Sequence, residues 1–115
     1  MALHSIANAQ KREYSVSNHS SSTAATLSVG NRAVLVEVFQ AAKVNQTAAA
    51  GSWTVSLNGN QVTGLSSVAV TTEVAGVQVT NAQPTALTNL AKGDVLSVVG
   101  SSLSASNFTF VVREF

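Results

Sequence analysis

The 115-residue chain contains no cysteine, which excludes disulfides and thiolate metal sites. Charge is nearly as scarce: 10% of residues are Asp, Glu, Lys or Arg, against about 25% in an ordinary soluble domain. The net charge is +1, so little repulsion keeps copies apart, and near-neutral surfaces favour association. The six basic residues (Lys11, Arg12, Arg32, Lys43, Lys92, Arg113) form no stripe, and aromatics make up 5% of the chain. That excludes a nucleic-acid footprint, which needs clustered cations and stacking rings. No apolar run approaches the ~18 residues of a membrane-spanning helix. The first thirteen residues lack the charged lead and greasy centre of a secretory signal, so none is expected.

Titratable groups are equally sparse. The two histidines, His4 and His19, fall in segments of turn or terminal character, and the acids Glu13, Glu37, Glu73, Asp94 and Glu114 are dispersed. A Ser-His-Asp set could be drawn only through His19, which nothing orients; no spacing supports Glu37 and Glu73 as a carboxylate pair, and there is no metal-ligand spacing or phosphate-cradling glycine loop. The expectation is therefore no enzyme, no catalytic residue, no metal and no cofactor. Asn-x-Ser/Thr triplets at Asn18, Asn45 and Asn107 are expected by chance in so hydroxyl-rich a chain.

What is abundant is alternation. In Gly51 to Gly64 the apolar Trp53, Val55 and Leu57 alternate with small polar residues up to Asn58-Gly59, the pair that best fits a two-residue hairpin turn. That register sets Leu57 against Asn60, Val55 against Val62 and Trp53 against a bare Gly64. Core packing is the expected role of Trp53, ahead of a sugar-stacking platform. Such a ribbon is marginal alone and needs cover from the rest of the chain.

Ala33 to Phe39 is the most apolar run and reads as a central strand, with Val34, Val36 and Val38 on one face and Leu35, Glu37 and Phe39 on the other. Glu37 then needs Arg113 or Arg32 as a partner, unless it stands in solvent. Tyr14 to Val16, Thr26 to Val29 and Val95 to Val99 supply further short strands, and Val68 to Val79 reads as two short strands joined near Ala75-Gly76 or as a single bulged strand. Phe108, Phe110 and Val112 share one face of a last strand, Val111, Arg113 and Phe115 the other, and Phe115 is expected to be packed. About eight short strands with turn signals between them predict an all-β antiparallel sandwich or jelly roll. Residues 2–13 carry a weak helical period (Leu3, Ile6, Ala7, Gln10), so the chain divides into an N-terminal arm, 1–13, and a β-sandwich domain, 14–115.

The segment Leu90-Ala-Lys-Gly-Asp-Val-Leu-Ser-Val-Val, a Ser-rich loop and Phe108-Thr-Phe-Val-Val together resemble the closing hairpin of trimeric jelly-roll heads of the tumour-necrosis-factor and complement type. The chain as a whole, short, cysteine-free and rich in Ser, Thr, Ala and Val, resembles small virion proteins of tailed bacteriophages, capsid decoration proteins or fibre-tip domains. The resemblance implies a homotrimer at capsid symmetry points, assembled in the host cytoplasm, with a major capsid protein or other virion protein as partner.

Two functions follow as expectations. The first is a non-enzymatic decoration (cement) subunit, its arm anchored by Leu3 and Ile6, with Leu35, Glu37, Phe39, Trp53, Phe108, Phe110 and Phe115 in the core or subunit interface. The alternative is a receptor- or glycan-binding module that uses the loops Ser17 to Thr23, Lys43 to Ala50 and Gly100 to Asn107. Neither involves nucleic acid or a membrane.

Overall fold

The computed structural model describes residues 10–18, 24–47, 50–76 and 79–115. Ten strands carry it: β1 (Gln10–Asn18), β2 (Ala25–Ser28), β3 (Ala33–Ala42), β4 (Gly51–Leu57), β5 (Asn60–Gln61), β6 (Val68–Val70), β7 (Val79–Ala82), β8 (Asn89–Leu90), β9 (Val95–Ser101) and β10 (Ser106–Glu114). All pairings are antiparallel and build two sheets. Sheet A runs β1-β10-β3-β7, with β8 beside β7 on the same edge of β3; sheet B runs β2-β9-β4-β5, with β6 beside β5 on the same edge of β4. Counting β5/β6 and β7/β8 each as one interrupted strand, the orders become 1-8-3-6 and 2-7-4-5. Apart from that interrupted fifth strand, consecutive strands fall in opposite sheets. This is the double Greek key of a jelly roll, as the strand count and turn spacing led one to expect.

The Asn58-Gly59 turn forms as its sequence dictates. Both residues have positive φ (51° and 88°), and Leu57 faces Asn60. Beyond Gln61 the ribbon departs from a simple hairpin. Val62 to Leu65 closes a tight loop opposite Val55, held by Val62 N donating to Val55 O and Val55 N donating to Leu65 O (both 2.9 Å). That detour drives Leu65 into the core and shifts the mate of Trp53 from Gly64 to Val68. The bare glycine opposite Trp53 lies on the other side, at Gly100 of β9. A Cβ there would come within 2.9 Å of the Leu103 side chain, which fills the space.

The alternation expected in β3 breaks at one residue. Val111 pairs with Glu37 and Val112 with Leu35, so Val36 is an extra residue, a β-bulge. Phase reverses across it: Ala33 and Leu35 are buried before the bulge, Val38, Gln40 and Ala42 after it. Val34 and Phe39, half-buried, therefore share the outer face. Strand β1 begins at Gln10, with Gln10 to Glu13 paired to Glu114 to Val111, so the folded domain starts ahead of Tyr14. Ladder hydrogen bonds along β10, together with Arg12 Nε at 3.3 Å from Glu114 Oε1, hold residues assigned above to the arm. The proposed arm anchors Leu3 and Ile6 lie outside the described residues. The strands expected on either side of Ala75-Gly76 do not form a pair: β6 belongs to sheet B and β7 to sheet A.

Between the sheets, Leu35, Val38, Phe108, Phe110 and Val112 meet Trp53, Val55, Leu96 and Val98. The Trp53 and Phe108 rings meet edge to face, centroids 5.7 Å apart at 69°. One end of the sandwich is closed by a buried polar clasp. Gln46 Nε2 donates to Ser102 O (2.9 Å), Ser104 N donates to Gln46 Oε1 (2.6 Å), and Lys43 N donates to Ala105 O (2.8 Å). Beside it, buried Glu73 accepts from Thr80 Oγ1 (2.6 Å) and Gln40 Nε2 (3.2 Å).

Candidate functional site

The opposite end of the sandwich is open. There the β2–β3 turn, the start of β9, the segment after β7 and the end of β10 surround a cleft of about 610 Å³, within the usual range of ligand sites. Ala33, Val34 and Leu90 form an apolar floor, and Arg32, Leu87, Asn89, Asp94 and Phe115 stand around it. Two walls are apolar yet wet: Leu87 is 75% exposed and Phe115 54%. Arg32 lies with its guanidinium carbon 5.6 Å from the Phe115 ring centroid, a cation–π contact. The backbone fixes that stack, since Phe115 N donates to Arg32 O (3.1 Å). Arg32 has no carboxylate partner among the described residues, so its charge is available to the cleft.

Asp94 is differently placed. Its Oδ2 accepts from Ala91 N (2.8 Å) and its Oδ1 from Asn58 Nδ2 (3.0 Å), while Asn58 Oδ1 accepts from Val95 N (2.9 Å). The carboxylate closes the Ala91 to Asp94 turn and ties it to the Asn58-Gly59 turn, a use that Asp in a Gly-Asp turn suggests. The Ala91 amide, then the Asn58 amide, hold its pKa below the ordinary 3.8. With the folded value lowered, the turn's contribution is complete above pH 3.8 and is lost as pH falls through the folded value. A carboxyl NMR titration should give an Asp94 midpoint below 3.8, moving upward in Asn58→Gly, which keeps the positive-φ turn and removes the amide.

Of the core or interface residues singled out in the sequence, Phe115 alone lines this cleft. Leu35, Trp53, Phe108 and Phe110 are core. Glu37 faces outward from sheet A and accepts a hydrogen bond from Asn81 Nδ2, so neither Arg113 nor Arg32 is its partner. Phe39 borders a shallow depression on the same face with Glu13, Ala41, Asn107 and Thr109. Phe115 is not packed as expected: the strand assignment of β10 ends at Glu114, and its ring rises beside the cleft instead of joining the outer face of sheet A. The loops expected to make contacts do converge, as far as they are described, but at the closed end held by Gln46. Arg32, Leu87 and Asn89 were missed. The one signal for them was an apolar leucine stranded in the loop after Pro84.

No family model matches the sequence, and no curated protein matches it. Among solved structures the chain is similar to the native structure of a family 35 carbohydrate binding module from Clostridium thermocellum, at 14% identity and a TM-score of 0.49, over 91% of each chain. That likeness lends nothing to the functional reading, which rests on the cleft itself.

Proposed function

We propose that this protein is a non-catalytic glycan-binding module whose ligand enters the Arg32–Phe115 cleft. The observation that supports it is a half-exposed aromatic ring, backed by a guanidinium with no carboxylate partner among the described residues, over an apolar floor. A pyranose has one apolar C–H face and a rim of hydroxyls. The ring and Leu87 suit the face; Arg32 and the Asn89 amide suit the rim. Binding to an immobilised glycan panel, followed by calorimetry on the best binder, tests the reading. Phe115→Ala and Arg32→Ala should each weaken affinity at least about tenfold, roughly 1.4 kcal/mol. Binding unchanged in both variants, or no glycan bound by the wild type, overturns it.

A second reading, self-association, is supported by the distribution of charge. The strands of sheet B contain no Asp, Glu, Lys, Arg or His, and their outer face presents serines, threonines and the partly exposed Val95 (37%) and Val99 (39%). Such a face has nothing to repel a copy of itself. Nothing among the described residues points to a capsid protein as partner, so this reading is confined to copies of the chain. Sedimentation across a concentration series should show mass rising with concentration; a monomer throughout removes it.

A further inference from the structure

The cleft does not stop at Leu87 and Asn89. Both residues also border a second hollow, about 360 Å³, that continues along the side of the sandwich where the edges of the two sheets part. One bank is the β4–β5 hairpin with Asn58, Asn60, Gln61 and Thr63; the other is the segment before β8. The banks are fastened together by Thr85 N donating to Thr63 O (2.9 Å), and the hollow joins the cleft through the Asn58–Asp94 contact. No charged side chain borders this second hollow.

Leu57, Val62, Ala86 and Leu87 line it together with amides and hydroxyls, several of which are uncommitted. Asn60, Thr63 and Asn89 are exposed, and their side chains make no hydrogen bond to another described residue. Gln61 Oε1 accepts from Ser66 Oγ (3.1 Å), and its NH₂ makes no hydrogen bond to another described residue. A primary amide offers donor and acceptor side by side, the same pairing that neighbouring sugar hydroxyls present. An anionic polymer would find no cation here, and an apolar one would leave these groups unsatisfied on being covered.

We infer that the cleft and this amide-bordered hollow form one extended site, and that the ligand is a neutral polysaccharide bound along its chain. The inference rests on the glycan-binding reading above, with the Phe115 cleft holding one or two sugars and the hollow the following ones. It makes affinity depend on ligand length, and places that dependence on residues remote from Phe115.

Calorimetry with cello-, xylo- and manno-oligosaccharides of two to six sugars tests it. For the series that binds, affinity should rise at least about tenfold from disaccharide to hexasaccharide. Asn60→Ala/Gln61→Ala should abolish most of that rise while leaving disaccharide affinity unchanged. Asn60→Ala alone, at an exposed side chain with no bond to lose, repeats the test in a minimally altered fold. Binding that is flat with length, or a rise indifferent to these variants, overturns the extended site and leaves the Phe115 cleft standing. Binding of no series overturns the neutral-chain inference, and binding untouched by both Phe115→Ala and Arg32→Ala overturns the glycan reading with it.

Discussion

Trp53→Ala is expected to lower the unfolding free energy by about 3–5 kcal/mol, the usual cost of truncating a fully enclosed tryptophan. The indole is 0% exposed, sits edge-on to Phe108, and lies between Val68 of β6 and Gly100 of β9. It thus plugs the middle of sheet B and reaches across to sheet A. Leu103 already occupies the gap above Gly100, so β9 itself offers no side chain to the vacated space. Trp53→Phe should behave differently. The indole N–H has no hydrogen-bond partner among the described residues, and a buried orphan donor costs about 1–3 kcal/mol. Phenylalanine forfeits volume but removes that donor, so its cost should be under half that of alanine. Urea unfolding of the three proteins reads both values. A loss below about 1.5 kcal/mol for alanine would mean that the core relaxes where packing at this density does not.

Gly64→Ala is the second large effect, about 2–4 kcal/mol. Gly64 has φ +93°, and a Cβ there would stand 2.6 Å from Thr85 N and 2.8 Å from Gln83 O, both backbone atoms that cannot swing aside. The substitution adds left-handed strain of roughly 1–3 kcal/mol and pushes apart the Thr85 to Thr63 hydrogen bond, worth roughly 0.5–1.5 kcal/mol. Gly59→Ala is the control. Its φ is +88°, but nothing lies within 4 Å of the added carbon, so only the conformational strain remains. Equal losses in the two variants would show that the Gln83 to Thr85 segment does not press on the hairpin. Because that segment leads to Leu87, Gly64→Ala should also weaken ligand binding where Gly59→Ala does not.

Features encoded within a few residues were legible in the sequence. Asn58-Gly59 and Gly93-Asp94 specify their turns through positive φ and side-chain acceptors, and both form as written. Alternation in Trp53 to Leu57 and in Phe108 to Val112 placed the large side chains inside, and the number of such stretches announced a two-layer β fold. What could not be read is what no single stretch contains. The bulge at Val36 is a mismatch between β3 and β10 and is invisible in either strand alone. The tuck of Leu65, which moves Trp53 onto Val68, depends on β4 accepting the detour. The cleft draws Arg32, Leu87, Asp94 and Phe115 from four separate segments, none of which carries a motif. Helical period in the first residues, by contrast, promised an arm whose last residues the ladder with β10 claims for a strand.

The single supernumerary residue in β3 has a reach beyond its own strand. Were the bulge flattened into regular pairing with Val36 retained, the preceding half of β3 would rotate by one pleat: Val34 and Val36 would enter the core, Ala33 and Leu35 would turn to water, and the chain leading back to Arg32 would leave from the other side of the sheet. The guanidinium would then no longer lie over Phe115. The site is thus tied to a backbone irregularity well inside the sandwich: with Val36 present, the cation keeps its place beside the ring only while the extra residue bulges.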